Sequence, residues 1–264
     1  MNWLSIHFYP NETQDHFLTR ALKPFLEQYI WSQKDARAFF IRYQDEKGPH
    51  IRLRIRGEEE WLQDMIRPAV EGWFQGRGEW MEVPYVRETD RFGGEEAMIW
   101  AEEHFHLSTR VVLDRISRDQ FIYGDAMFDA LRLLAIMAFG AEFTPDKARW
   151  YFDQLLEQWL PLFFPVDDAV VAAEIRESFD QTFSAQKVSL VEAIIELWTS
   201  LEAEKFDDNQ PEWLRWLRGN QLIFKGLGDN LAQALPSLIH LNNNRIGINN
   251  QDEVYLNYIL SKSF

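Results

Sequence analysis

Residues 50–56 read His-Ile-Arg-Leu-Arg-Ile-Arg, and this strict alternation limits the backbone more than any other feature of the chain. On a helix it would scatter cations and aliphatics over every face. On a strand Ile51, Leu53 and Ile55 line one side, and His50, Arg52, Arg54 and Arg56 the other. Residues 38–43 form a second strand pattern, joined to the first by the polar turn QDEKGP, so the pair reads as a β-hairpin. Four cationic or near-cationic groups on one side need a reason. At a sheet edge they would deter strand-to-strand aggregation. Alternatively, two arginines two positions apart make a fixed frame that grips one anion. The pattern leaves both readings open.

A further strand is expected over 3–9, closed by Pro10 and Asn11. Apolar spacing predicts helices over 15–31, with Pro24 as a kink, and over 59–74, with Pro68 interrupting. Residues 80–86 alternate again before the loop PYVRETDRFGG, and Gly93 and Gly94 supply backbone freedom ahead of a helix over 95–116. From residue 125 the texture is helical. Helices are expected over 126–139, 144–160, 167–183, 187–201 and 220–238, with breaks at Gly140, Pro161, Pro165, Ser184 and 207–211. Thr144 followed by Pro145 is a capped helix start. A polar loop from 244 and a short closing helix over 252–260 finish the chain. These elements predict an α+β fold: a mixed or antiparallel sheet in the first third (1–90), packed against a mostly helical remainder (91–264), as one domain over 1–264.

A chain of 264 residues buries roughly three quarters of its unfolded surface and needs no staple. It has no cysteine, which removes disulfides, thiolate nucleophiles and cysteine-ligated zinc. Lysine and arginine number 27 against 42 aspartates and glutamates, a formal charge of −15. That balance opposes broad binding to a nucleic-acid backbone, while permitting a local basic pocket. Its plainest meaning is solubility. The first ten residues lack the pattern of a signal peptide, and no apolar run is long enough to span a bilayer, so a cytoplasmic protein is expected.

His104 and His106, two apart on an expected helix, do not face each other, and no HExxH pattern occurs, so no metal site is expected. Walker, GxGxxG and GxSxG patterns are missing as well. Arginine, carboxylate and histidine remain. Glu88 and Arg91 place a carboxylate beside a guanidinium, either to bind a ligand or merely to order a loop. His240, read as lying just past a helix and before LNNNRIG, is a candidate proton carrier or a structural histidine.

In order along the chain, WLSIHFY, FFIRYQDEKGPHIRLRIRG, YVRETDRFGG, AEEHFHLSTRVV and HLNNNRIGINNQDEVYLNYIL resemble the glutamate-elimination domain of class I lanthipeptide dehydratases. The same family occurs as stand-alone thiopeptide-type bacteriocin biosynthesis proteins, including pyridine-forming cycloaddition enzymes. The resemblance implies that Arg52, Arg54, Glu88, Arg91 and His240 act in catalysis and that His50, Arg42, Asn244 and Arg245 contact substrate. It implies the elimination half of a split dehydratase, acting without cofactor or metal, and without binding tRNA itself, on a glutamylated precursor peptide supplied by a separate tRNA-dependent glutamylation protein. Cycloaddition and a non-catalytic peptide-binding or scaffold role are the alternatives. The chain departs from the family pattern at Leu107-Ser108, where relatives tend to carry Asp-Ser.

Overall fold

The computed structural model describes residues 2–164, 169–205 and 210–264. In chain order the elements are β1 (Asn2–Pro10), α1 (Gln14–Phe17), α2 (Lys23–Tyr29), β2 (Arg37–Asp45), β3 (Gly48–Gly57), α3 (Glu59–Trp61), α4 (Arg67–Trp73), β4 (Gly78–Glu82), α5 (Thr89–Phe92) and α6 (Glu95–Ile116). There follow α7 (Tyr123–Gly140), α8 (Pro145–Phe163), α9 (Ala169–Glu202), α10 (Pro211–Leu227), α11 (Leu231–Ile246) and α12 (Asn250–Ser263). Among the described residues no helix is long and apolar enough to cross a membrane. The architecture is the expected α+β, with a four-stranded antiparallel sheet in the order β2-β3-β1-β4. By contacts the chain divides into two compact units, residues 1–121 with 226–247 and residues 122–225 with 248–264.

The first unit holds the whole sheet. In register, Ile55 lies between Leu4 and Ala38, and Leu53 between Ile6 and Phe40, so one face is uniformly apolar and buried. Phe8 on this face stacks on Phe17 at 4.4 Å and meets Phe74 at 5.2 Å, which brings both proline-containing helices onto the sheet. Those helices correct the sequence expectation. Pro68 does not interrupt its helix, and each proline follows a π-helical turn, Leu18–Leu22 before Pro24 and Leu62–Ile66 before Pro68. Proline has no N–H to donate to the carbonyl four residues back, and the wider turn absorbs the mismatch. β4 begins two residues earlier than expected and ends at Glu82, because pairing to β1 runs out at the Val83 N–H bond to Ser5 and Pro84 has no donor to continue it.

The outer edge of β2 is closed by side chains. The N–H groups of Ala38, Phe40 and Arg42, spaced two apart, donate to His106 Nδ1 (3.1 Å), Thr109 Oγ1 (3.3 Å) and Asn244 Oδ1 (3.0 Å) from α6 and α11. Gly93, at φ 100°, closes α5 in the left-handed region, and a Cβ there would meet the Asn230 side chain at 2.5 Å.

The second unit is helical. Trp216 is fully buried and its Nε1 donates to Leu133 O at 2.9 Å. The expected break at Ser184 does not occur. Phe183, Leu190, Ile194, Trp198 and Leu201 make a continuous buried stripe through α9, with Ser184 on its solvent side. Pro161 likewise sits inside α8, in its exposed last turn, where water can take the carbonyl that the proline leaves unbonded. Thr144 caps α8 as expected, its Oγ1 accepting from Lys147 N at 3.2 Å. The expected helix 220–238 is two helices, α10 and α11, parted at Gly228–Asn230. The start expected at Asp167 and the breaks at Pro165 and 207 lie outside the described residues.

Candidate functional site

β3 is interior, flanked by β2 and β1. Aggregation-blocking at an edge therefore does not account for its arginines. The arginine face has two ends. At one, Arg56 pairs with Glu103 at 2.9 Å and lies 3.9 Å from the buried Glu102, while Arg37 adds a 2.6 Å bond to Glu103. At the other, Arg52 and Arg54 open into a cavity of about 200 Å³. The same cavity is lined by Glu88, Arg91 and His240, so tertiary folding brings together all five catalytic candidates from β3, the turn at α5 and α11. Phe39, Tyr43, Tyr85, Phe92, Met98 and Phe105 supply its apolar walls.

Arg54 is 8% exposed, and neither its Nε nor its Nη1 has a hydrogen-bond partner. Its guanidinium faces the Tyr85 ring at 4.7 Å and the Phe39 ring at 5.6 Å. Burial, with the nearby Arg52 charge, pushes its pKa down from the usual arginine value, while Tyr85 and Glu88 oppose the shift. Buried donors without acceptors cost about 1–3 kcal/mol each, so this arrangement favours a bound anion. Arg52 stacks on Tyr43, its Cζ 3.3 Å from the ring centroid. The positive face also acts on His7, opposite Arg52 on β1, whose pKa is held at about 4 by burial first and then by Arg52, His50 and Arg54.

Arg91 Nη1 meets Glu88 Oε2 at 3.0 Å, and its Nε donates to Ser237 Oγ at 2.8 Å. Ser237 and His240 are three apart on α11, so Arg91 ties the turn to the helix that carries the histidine. His240 lies inside α11 and not after it, a correction with a clear cause. The NNNRI segment looks loop-like by composition, yet its amides are used in tertiary bonds and the helix continues to Ile246, capped by Gly247 at φ 95°. Ser108 Oγ donates to Asn242 Oδ1 at 2.9 Å, and Asn244 both accepts from Arg42 N and donates to Arg42 O.

The four expected substrate contacts are placed differently. Asn244 lines the cavity, but its amide is engaged with Arg42. Arg42 pairs with Asp15 at 2.6 Å and donates to Arg245 O at 2.9 Å, clamping α11 to β2. His50 is fully buried among the rings of His7, Tyr9 and Tyr43, with its Nε2 accepting from Arg52 Nε at 3.4 Å. Arg245 is fully buried behind the cavity wall. Sequence reasoning missed Tyr85 and Ser237. Tyr85 OH donates to Glu102 at 3.2 Å, and Glu102 takes a second bond from Arg87 Nε at 2.8 Å, which fixes the ring against Arg54. Burial drives the Tyr85 hydroxyl well above its usual pKa, so it remains a donor. Its position beside the ETDR segment was a signal; the spacing of Ser237 from His240 carried meaning only once 240 was known to be helical.

Comparison with known proteins places the fold. The chain is 34% identical over 118 residues to the subtilin biosynthesis protein SpaB of Bacillus subtilis, a stretch that is 42% of this chain and 11% of that much longer protein. Its fold matches TbtD, the pyridine synthase of thiomuracin biosynthesis, with a TM-score of 0.73 over 100% of this chain and 97% of that one, at 16% identity. It matches the tRNA-dependent lantibiotic dehydratase MibB from Microbispora sp. 107891 with a TM-score of 0.67 at 20% identity, over 98% of this chain and 28% of MibB. TsrL gives 0.70 at 14% identity, over 100% and 93%. The model of the C-terminal region of lantibiotic biosynthesis dehydratases matches residues 3–264, and the chain belongs to that family.

Proposed function

We propose that this chain catalyses β-elimination of glutamate from glutamylated serine or threonine in a precursor peptide, leaving a dehydroamino acid. The observation that carries this reading is the convergence of Arg52, Arg54, Glu88, Arg91 and His240 on one cavity in which buried arginine donors lack acceptors. While esterified, the glutamyl group keeps a free carboxylate, which suits a pocket with three arginines and one glutamate on its wall.

In the step itself His240 removes the Cα proton of the esterified residue. The electron pair forms the Cα–Cβ double bond, the Cβ–O bond breaks, and the ester oxygen leaves as a carboxylate of free glutamate. Arg52 and Arg54 hold glutamyl carboxylate and neutralise charge as it develops on the leaving group, a role for which fixed cations in a poorly hydrated pocket are suited. The 3.0 Å contact of Glu88 with Arg91 supports an orienting role for that carboxylate. In this reading glutamylation is carried out by a separate tRNA-dependent protein.

A second reading is favoured by one observation: the fold match to the pyridine synthase spans nearly the full length of both chains. On it, the pocket would join two dehydroalanines into a six-membered ring. Mass spectrometry of a peptide bearing a synthetic glutamyl ester on serine separates the two. Loss of the whole glutamate to give dehydroalanine, abolished by Arg54→Ala and by His240→Ala, is the expected result. An unchanged ester with folded enzyme, together with cyclisation of a peptide that already holds two dehydroalanines, would replace elimination with cycloaddition.

A further inference from the structure

Arg245 is a fully buried guanidinium that no carboxylate pairs with among the described residues. Its Nη1 donates to Leu241 O at 3.0 Å, whereas Nε and Nη2 have no hydrogen-bond partner. It occupies the last turn of α11, where the helix dipole favours a cation. The Phe105 ring lies 5.0 Å and the Phe39 ring 5.9 Å from its Cζ. Each of these partners is neutral. They make the charge tolerable without cancelling it.

Phe39 is also a neighbour of Arg54, at 5.6 Å, and it lines the cavity. Two like charges thus share one aromatic side chain, Arg54 facing the cavity and Arg245 enclosed behind it. A chain selected for stability alone would place a carboxylate or an apolar residue here, because an uncompensated buried cation is costly. We propose that Arg245 is a positioning residue for Arg54: its charge behind Phe39 holds the Arg54 guanidinium toward the cavity and adds to the positive potential that an entering carboxylate meets. This deepens the elimination reading and rests on its anion pocket. Arg245 need not touch the ligand, which agrees with its enclosure. Burial and the Arg54 charge bring its pKa down to about 9, so it still carries its proton at neutral pH.

Glutarate, a dicarboxylate with no ester to cleave, tests the pocket independently of catalysis. Titration calorimetry on the whole chain should show glutarate binding to the wild type and weakening of about tenfold in Arg245→Met, the size expected for losing one cation across a poorly hydrated wall. Arg245→Gln, which can keep a bond to Leu241 O, should weaken binding to a similar extent, and Arg245→Lys, which keeps the charge, should stay within about threefold of the wild type. In an Arg54→Gln background the Arg245→Met change should have little further effect, a non-additivity that a packing role would not produce. Equal glutarate binding by wild type, Arg245→Met and Arg245→Gln overturns this proposal and leaves the elimination reading intact. No glutarate binding by the wild type overturns the anion pocket and this proposal together.

Discussion

Arg54 and Arg56 sit two residues apart on the same face of the same strand, yet their surroundings are opposite. Arg56 meets Glu102 and Glu103 and joins a network with Arg37. Arg54 meets aromatic rings, has two unbonded nitrogens and opens into a cavity. The cation is the same in both places; the partners decide whether its charge is consumed within the fold or kept for a ligand. Glu102 serves both ends, because it also accepts from Tyr85, whose ring packs on Arg54. The ion-paired end thereby supports the open end.

The comparison is broken most directly at Arg54. Arg54→Gln should lower elimination about a thousandfold, roughly 4 kcal/mol of transition-state stabilisation, while leaving thermal stability unchanged or raised, since it removes an unpaired buried charge. Turnover by mass spectrometry and a calorimetric melt measure the two sides; a large stability loss would contradict the contrast.

Acid should act next. His104 and His106 are buried, and burial holds their pKa values at about 3 and about 4 against the ordinary histidine value of 6.5. Folded protein therefore binds fewer protons than unfolded chain below pH 6.5. The stability is fully present above pH 6.5 and is lost as pH falls toward 4. Each histidine contributes about 1.4 kcal/mol of loss per pH unit, so the pair should cost about 3 kcal/mol at pH 5.5 in urea melts.

Arg56→Gln should reverse the outcome at Arg54: about 2 kcal/mol of stability lost by denaturant unfolding, because Glu102 and Glu103 lose a counter-ion, with a smaller change in turnover. The smallest effect should come from Asn244→Ala, which removes two bonds between α11 and β2 and should cost about 1 kcal/mol. It should slow turnover by loosening the helix that carries His240, with glutarate affinity little changed. An equal loss of affinity would place Asn244 among the ligand contacts.

Much of the first unit could be read from residue order. The alternation at 50–56 implied both the strand and its two faces, the polar turn implied the hairpin, and 95–116 matched α6 to the residue. The misread elements share a cause. Ser184 and the asparagines at 242–244 were taken as breaks from local preference, but buried stripes and side-chain bonds from distant residues outweigh a propensity of about 0.5–1 kcal/mol per residue, while Pro161 is tolerated because it falls in an exposed last turn. The π-helical turns before Pro24 and Pro68 could not be foreseen, because a one-turn change of hydrogen-bond register leaves no mark in apolar spacing.

The candidate site divides in the same way. Arg52 and Arg54 stood out from alternation, Glu88, Arg91 and His240 from residue chemistry, and motif resemblance chose their catalytic over their structural reading; all of this depends on short-range order. Residue order by itself determined the sheet-plus-helix class, the cationic face and the segments able to carry the chemistry, because period and motif are local. Tertiary structure alone decided that β3 is interior, that Arg56 is neutralised while Arg54 is not, and that Arg245 lies behind the pocket wall. Those outcomes depend on which groups from β2, α5, α6 and α11 come within a few ångströms of one another, and charge compensation and burial are properties of that proximity.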